Sequence, residues 1–473
     1  MVRRVLLAAV LSALSSMAVA QSVTPLKHPA PNGAILSFQL TDGTVLVQSF
    51  NDRRWYKLAP DNTGSYVNGT WSQAASLPSD YSPDAFASQV LADGRVIIEG
   101  GEYNFGKFVL TNRGEIYDPV ANAWTALPPP PHWSYIGDSP SVVLPDGHFL
   151  IGDKIDKRLA ELDPLSMTWS APSSTGKADF NAEEGWTLMP DGSIVTIDVK
   201  DNPNSESFSP TAQTWSSLGS TIADLQGPPC CKCLPYGGKK PYCPPGEVGP
   251  AILRPDGSVF ATGALHRGDA NGHTAIYTPG SGWSAGPDFP NGDDAGDNFA
   301  VLLPSGHVLV QGTSGTLYEF DGTHLTATPL NGGGNSLMVL PTGQVLIGGT
   351  EVYKGAGKPQ AAWRPAISSA PSTITRGSTY QVFGTQFNGL SQAAGFGDEY
   401  QTATNYPLVR VTNTSTGHVV YARTHDHSTM AVATGNRTVF TYFDVPPSAE
   451  TGASTLQVVA NGIASQAVAV TVK

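Results

Sequence analysis

One pattern of apolar and polar positions recurs seven times along the chain. In each copy an apolar run leads into a short polar turn that ends in glycine, and a second apolar run follows. Apolar runs joined by Asp-Gly are a strong β-hairpin signal, because the tight turn needs a positive φ that glycine adopts without strain. The predicted hairpins span residues 38–47, 90–98, 142–151, 188–195, 252–260, 301–310 and 338–347.

The spacing of these hairpins predicts the architecture. Their turn glycines recur about every fifty residues, which is typical of four-stranded kelch-type propeller blades. We therefore predict an all-β protein with a seven-bladed kelch-type β-propeller over residues 21–360. Five copies also carry a tryptophan downstream, and we expect these rings to pack blade against blade: Trp71, Trp124, Trp169, Trp215 and Trp283.

The seventh copy leaves no room for a fourth strand before Trp363. Residues 23–27, ahead of the first copy, are expected to supply that strand and close the ring, since an open ring exposes an unpaired strand edge. A Pro- and Ala-rich break follows at residues 358–371. Beyond it, strand-like runs at 380–383, 408–411 and 455–459 predict an Ig-like β-sandwich domain over residues 366–473.

Composition and charge narrow the function classes. Only 14% of the residues are charged, 51 are glycine and 38 are proline, as in proteins with many short strands. The formal net charge of −12 would repel a phosphate backbone, so nucleic acid is not an expected partner.

The first twenty residues have the pattern of an export signal. Arg3 and Arg4 precede an apolar stretch, and a small-residue site predicts cleavage after Ala20. No later run is long and apolar enough for a membrane span. We expect a secreted or periplasmic monomer.

Acidic residues recur eight to ten positions before the turn glycine in five successive repeats: Asp84, Asp138, Glu183 with Glu184, Glu247 and Asp297. In a four-stranded meander the loops that enter each first strand lie on the face opposite the hairpins, so these acids are expected around the mouth of the central channel. Three interpretations remain open. The acids satisfy turn amides, bind a cation such as Ca²⁺, or act as general acid and base on a glycan.

Other polar and aromatic residues are expected around the same mouth. The candidate catalytic residues are Glu183, Asp138, His266 and Tyr103, and the candidate substrate-binding residues are Trp133, Tyr135, His132, Arg53, Arg267 and Glu102. Aromatic rings beside acids, histidine and arginine suit a polysaccharide or glycan. They also suit β-elimination from a uronic acid, in which arginine neutralises the carboxylate.

All four cysteines, Cys230, Cys231, Cys233 and Cys243, lie in one insertion between the fourth and fifth hairpins. In an exported protein this predicts two disulfides, with the connectivity open. A thiolate metal site is the alternative, but the spacing matches no standard zinc pattern.

Three segments of the C-terminal region, residues 384–392, 405–410 and 423–428, resemble the C-terminal domain of glyoxal-oxidase-type proteins. Together with the kelch repeats, they make the chain similar to the galactose oxidase and glyoxal oxidase superfamily. The resemblance implies a copper-radical oxidase with a cysteine-crosslinked tyrosine, a tyrosine adjacent to a histidine, and a histidine from the C-terminal domain.

The chain departs from that pattern. Phe86 stands where the crosslinked tyrosine is expected, the first repeat has no cysteine, and no Tyr-His dipeptide occurs. The resemblance leaves His427 or His425 as the C-terminal metal ligand and Tyr103 as the stacking aromatic residue. The copper-radical residues are thus missing, and copper is a less expected cofactor than Ca²⁺.

We therefore carry three functions forward. The main prediction is a carbohydrate-directed protein that binds a glycan or cleaves it by hydrolysis or β-elimination. The first alternative is a copper-dependent oxidase of alcohols or aldehydes with a noncanonical site, using His427, His425 and His266. The second alternative is a non-catalytic structural or protein-binding kelch module.

Overall fold

The computed structural model describes residues 21–50, 52–229, 246–332 and 336–473, and it is all-β in these ranges. Seven small antiparallel sheets are followed by one nine-stranded sheet. Within these ranges the only helical turns are Pro290–Gly292 and Ala361–Trp363. No helix of the described ranges has the length and apolar character needed to cross a membrane.

Each of these seven sheets contains one predicted hairpin, and we number them 1 to 7 by hairpin order. Sheets 1 to 3 contain Ser37–Gln39, Val45–Gln48, Trp55–Ala59 and Thr70–Gln73; Ala87–Val90, Val96–Glu99, Gly114–Asp118 and Ala123–Leu127; and Ser141–Val143, Phe149–Gly152, Leu159–Asp163 and Thr168–Ser170. Sheets 4 and 5 contain Thr187–Leu188, Ile194–Ile197, Ser205–Ser209 and Thr214–Ser217; and Val248–Leu253, Val259–Gly263, Thr274–Thr278 and Gly282–Ala285. Sheets 6 and 7 contain Ala300–Leu302, Val308–Gln311, Thr316–Phe320, Leu325–Asn331 and Ala394–Gly395; and Leu337–Val339, Val345–Ile347, Glu351–Lys354 and Ser22–Pro25. An additional small sheet beside them contains Pro83–Asp84, Tyr103–Asn104 and Lys107–Phe108.

First strands contact one another between sheets 2 and 3, between consecutive sheets from 4 to 7, and between sheets 7 and 1. These strands are buried along their length except at Ala251 in sheet 5, which is half-buried. The first strands are therefore the innermost ones, and the hairpin turns that follow them share one face, the hairpin face. The opposite face is the mouth face.

The N-terminal strand closes sheet 7, as predicted. Ser22–Pro25 pairs antiparallel with Glu351–Lys354. Just after it, the Leu26 side chain is 6% exposed and packs in an apolar cluster shared by sheets 1 and 7. The backbone N–H of Leu26 donates to the Thr350 carbonyl at 2.8 Å. The strand therefore joins the beginning of the ring to its end.

Trp124 and Trp283 join neighbouring sheets, as predicted, through hydrogen bonds donated by their indole N–H groups. The Trp124 N–H donates to the Ala75 carbonyl at 2.9 Å, and the Trp283 N–H donates to the Ser205 hydroxyl of the preceding sheet at 2.7 Å. These rings serve the core and are not site residues.

The C-terminal region forms the nine-stranded sheet, which includes all three predicted strand runs. Its strands are Ala366–Ser369, Thr373–Ile374, Thr379–Thr385, Leu408–Asn413, Val419–His425, Val439–Asp444, Gly452–Ala460, Ile463–Ala464 and Val468–Val472. Their apolar side chains form a separate core around Val409, Val458 and Phe443.

Residues 391–404 leave this region and run between the innermost strands, and we call them the channel segment. Ala394–Gly395 pairs with Ala300 and Val301 of sheet 6. The Gln392 side-chain oxygen accepts from the backbone of Leu188 in sheet 4, and the Gln401 N–H donates to the Ser88 hydroxyl in sheet 2. Contacts to three sheets place this segment along the axis of the ring.

Candidate active site at the mouth face

The tip of the channel segment and five of the sheets enclose one cavity of about 250 Å³ at the mouth face. We call it the mouth cavity. Eight carboxyl groups line it together with Ala85, Tyr103, Phe396 and Tyr400: Asp84, Glu102, Asp138, Glu183, Glu247, Asp297, Asp398 and Glu399. The acids predicted from the repeats therefore do converge, with the exception of Glu184.

The local backbone explains why the repeat positions converge. Each acid lies in the loop that enters the first strand of its sheet, and these loops share the mouth face. Glu183 and Asp297 have left-handed backbones, with φ of 59° and 49°, and Ala85 after Asp84 has φ of 51°. Such values strain residues other than glycine and cluster at functional sites. The loops hold these side chains in fixed positions at the mouth.

The deep layer of the cavity consists of Asp138, Glu183, Asp398 and Glu399, which are 1–5% exposed. Behind them lies Lys154, which follows the second strand of sheet 3 and is also buried. Its ammonium group contacts the Asp138 carboxyl group and lies 2.7 Å from Glu183 Oε1. One buried cation is thus surrounded by a larger number of acids.

Burial and mutual repulsion set the charge of the deep layer. Burial opposes ionisation of Glu183, but the Lys154 ammonium group and hydrogen bonds lower the pKa of this carboxyl group. Burial raises the pKa of Asp138 well above its usual value in spite of Lys154, and it raises that of Asp398 to about 7. Burial and the crowding of acids therefore oppose full ionisation of the deep layer, and Lys154 favours the charged form of Glu183.

Tyr400 anchors the tip of the channel segment. Its hydroxyl donates to Asp84 and accepts from the Ala85 N–H at 2.7 Å. Its ring lies edge-on to Phe86 at 5.3 Å, and Phe86 is fully buried. The position at which the resemblance implies a redox tyrosine is therefore a packing position beneath the channel segment.

The rim of the cavity consists of Asp84, Glu102, Tyr103, Glu247 and Asp297, all at least partly exposed. Burial and the neighbouring Glu102 raise the pKa of Tyr103 to about 12, and burial also raises the pKa of Glu102. The paired Glu102 and Tyr103 can therefore offer both a donor and an acceptor to a ligand.

Glu184 points away from the mouth into a second buried cluster. The Lys177 ammonium group lies 2.9 Å from Glu184 Oε2, 3.1 Å from Asp179 Oδ1 and 2.8 Å from Glu206 Oε2. Asp198 completes this set at 3.6 Å from the same ammonium group. Two consecutive glutamates thus join two buried charge clusters.

Six predicted residues lie outside the set that lines the mouth cavity. Trp133 is 6% exposed beneath the Arg158 guanidinium group, at 5.3 Å from its ring centre, so the prediction of a sugar platform there is wrong. Arg53 donates to the Leu77 carbonyl, and His266 lies 3.2 Å from the Gln226 carbonyl. His132, Tyr135 and Arg267 are likewise absent from the described residues that line the cavity.

His425 and His427, the candidate metal ligands, are not among the described residues that line the mouth cavity. The His427 backbone N–H donates to the Ala92 carbonyl in the hairpin of sheet 2, so this segment lies at the hairpin face. His427 Nδ1 lies 2.8 Å from the Thr441 hydroxyl oxygen, and burial lowers the pKa of His427 to about 3. His425 lies 2.7 Å from the Asp426 carboxylate.

Sequence reasoning missed four contributors to the site: Lys154, Asp398, Glu399 and Tyr400. Lys154 stands three residues after the apolar run 149–151, and no local signal marks it as buried. The signal for the others was an Asp-Glu-Tyr run in a stretch without strand alternation. The predicted disulfides of Cys230, Cys231, Cys233 and Cys243 lie outside the described residues.

No family model matches this chain. Kelch-like protein terF of Aspergillus terreus is 26% identical over 129 residues, which are 26% of this chain and 26% of the relative. Galactose oxidase of Gibberella zeae is 26% identical over 248 residues, which are 50% of this chain and 35% of the relative. A solved fungal alcohol oxidase of the AA5 family, in complex with copper, superimposes with a TM-score of 0.50 at 14% identity, over 96% of this chain and 99% of its own.

This chain has a galactose oxidase-like kelch fold. The sheets belong to a β-propeller, as the repeats predicted. The matched segments span only about a third or less of the curated relatives, and the structural likeness is one of fold.

Copper, which the alcohol oxidase of this fold contains, does not fit the donors at the mouth. Copper prefers imidazole and sulfur ligands, whereas carboxylate oxygens suit calcium, magnesium and manganese. All ten histidines are among the described residues, and none of them lines the mouth cavity. The two tyrosines there keep their protons, because burial raises the pKa of Tyr400 and Tyr103.

Proposed function

We propose that the mouth cavity binds a small substrate rich in hydroxyl groups, a carbohydrate or a related alcohol, and that carboxyl groups act on it. The observation that carries this proposal is the convergence of eight carboxyl groups on one solvent-accessible cavity. Carboxylate oxygens accept hydrogen bonds from hydroxyl groups, and the Tyr103 and Phe396 rings offer apolar faces to the C–H groups of a sugar.

The charge of the cavity selects among carbohydrates. Neither Arg53 nor Arg267 is among its lining residues, so the partner that a uronic acid would need is missing from the described cavity. Crowded carboxyl groups repel a substrate carboxylate. We therefore propose a neutral or cationic sugar, and hydrolysis or simple binding rather than β-elimination.

The test uses Glu102→Gln and Tyr103→Phe, with Tyr442→Phe as the matched control in a separate pocket at the hairpin face. Binding is measured on a glycan array and then by calorimetry, and cleavage by release of reducing ends. Loss of a charge-assisted hydrogen bond weakens binding about ten-fold. We expect that loss for Glu102→Gln and none for the control. Binding of no glycan, or unchanged affinity in both rim variants, would refute the proposal.

A copper-dependent oxidase of alcohols or aldehydes is the second candidate, and the similarity of the chain to two oxidases favours it over the glycan function. Galactose oxidase and a copper-containing alcohol oxidase share this fold with the chain. Such an oxidase would need copper ligands other than the carboxyl groups of the mouth cavity. Metal analysis of the purified protein separates the two candidates. Copper near one equivalent, with peroxide release from an alcohol, supports the oxidase, and its absence removes this candidate.

The organisation of the chain is part of the proposal. We propose that sheets 1 to 7 are the seven blades of one propeller at residues 21–360, and that residues 366–473 form an Ig-like sandwich. We also propose a monomer exported by residues 1–20, which lie outside the described residues. Mass spectrometry of the mature N-terminus tests cleavage after Ala20, and light scattering tests the monomer.

A further inference from the structure

We propose that the deep layer of the mouth cavity binds one calcium ion through carboxylate oxygens of Asp138, Glu183 and Asp398. This ion would lie beneath the substrate in the same cavity, and its biological role rests on the proposed function.

The geometry suits a single ion. One oxygen from each of the three carboxyl groups lies within 4.8 Å of the other two. Calcium binds oxygens at about 2.3–2.6 Å, so two ligands on opposite sides of the ion are about 5 Å apart. The three side chains come from the loops before sheets 3 and 4 and from the channel segment. An ion here would join the propeller sheets to the C-terminal region.

Unsatisfied oxygens supply a second observation. Asp138 Oδ1 and Asp398 Oδ2 are buried and have no hydrogen-bond partner among the described residues. Asp138 is 4% exposed and Asp398 is 1% exposed, and both line the cavity. A buried carboxylate oxygen without a partner is costly, and a cation removes that cost. Lys154 donates to the other oxygen of Asp138, Oδ2.

The second buried cluster provides an internal contrast. Asp179, Glu184 and Asp198 have the same close oxygen spacing. There, however, the Lys177 ammonium group lies within 3.6 Å of an oxygen of each of the three, so it occupies the position of a cation. At the mouth the Lys154 ammonium group contacts Asp138 and Glu183, and the three acids differ from the second cluster in that they line a cavity open to solvent.

The oxygen donors indicate the kind of ion. Calcium accepts six to eight oxygen ligands in flexible geometry, whereas magnesium requires a nearly ideal octahedron. Carboxyl groups fixed on three separate backbone segments fit the more tolerant ion. Glu399, Glu247 and Asp297 line the same cavity and are available for further coordination.

The experiment titrates calcium into EDTA-treated protein without any sugar, using calorimetry and the melting temperature as readouts. We expect binding of one equivalent and a higher melting temperature in millimolar calcium. Asp398→Asn and Asp138→Asn should each weaken binding about ten-fold or more, whereas Asp198→Asn in the second cluster should bind as the wild type does. Circular dichroism of each calcium-free variant checks that it is folded.

The inference is overturned if the wild type binds no calcium, or if folded Asp398→Asn and Asp138→Asn bind it unchanged. Glycan binding is then measured with and without calcium for the wild type and Glu102→Gln. If the protein binds no calcium but binds a glycan in a way that depends on Glu102, the calcium site is refuted and the proposed function is retained. Calcium binding without any glycan binding leaves the ion site standing and removes the proposed function.

Discussion

Leu26 lies in the seam between sheets 1 and 7, the apolar cluster that both sheets share, and its truncation to alanine gives a quantitative prediction. The leucine side chain is 6% exposed and packs against apolar residues of both sheets. Truncating such a buried leucine leaves a cavity and costs about 3 kcal/mol. If the sheets at residues 21–360 unfold together, an unfolding entropy of about 2.1 cal/mol/K per residue converts this to a melting temperature lower by about 4 °C.

The assay is differential scanning calorimetry of the wild type, Leu26→Ala and the matched control His28→Ala. The His28 side chain is exposed, and its carbonyl, which accepts from the Trp71 indole, is unchanged by the substitution. We expect the control to melt with the wild type. Deletion of residues 21–30 should lower the melting temperature further, because it also removes the strand paired with Glu351–Lys354. A deletion variant that melts with the wild type would refute the closure of the ring by this strand.

Three further predictions concern buried groups. Lys177→Met should destabilise the protein by about 3–5 kcal/mol in urea denaturation, because it leaves buried carboxyl groups without their cation, whereas exposed Lys200→Met should cost under about 1 kcal/mol. The pKa of His427 is about 3 in the folded protein and 6.5 ordinarily, so between these pH values the unfolded chain binds more protons. The free energy of unfolding should therefore fall by about 2 kcal/mol from pH 6.5 to 5.0. His427→Gln should remove this part of the pH dependence. Gly185→Ala would place a Cβ 2.1 Å from the Gly397 carbonyl oxygen, so it should cost about 1–3 kcal/mol and weaken ligand binding at the mouth.

Each of these predictions has an outcome that contradicts it. Equal urea midpoints for the two lysine variants would show that the second cluster does not need its ammonium group. Parallel stability curves of wild type and His427→Gln between pH 6.5 and 5.0 would contradict the neutral buried imidazole. Gly395→Ala, whose Cβ meets only ordinary contacts at 3.5 Å, is the control for Gly185→Ala, and equal melting temperatures would contradict the close backbone approach.

Local sequence patterns predicted the sheets well because hairpins depend on turn chemistry and alternation. The same repeats predicted the convergence of Asp138 and Glu183, since equivalent loops of a ring share one face. The burial of Lys154 was not predictable, because a lysine after a strand is usually solvated. The position of Asp398 depends on an inserted segment that pairs with sheet 6, a long-range contact with no local signal. The face that His427 occupies was not predictable, because its imidazole chemistry does not reveal it.

The seam and the channel segment also constrain the order in which the molecule can be completed during synthesis. Ser22–Pro25 can pair only after its partner strand, Glu351–Lys354, has been synthesised more than three hundred residues later. Asp398 and Tyr400 emerge from the ribosome later still. A nascent chain that ends before residue 351 therefore has an unpaired edge, and one that ends before residue 398 lacks the inner wall of the mouth. A later part of the chain thus completes an earlier part, so the site is assembled late in synthesis.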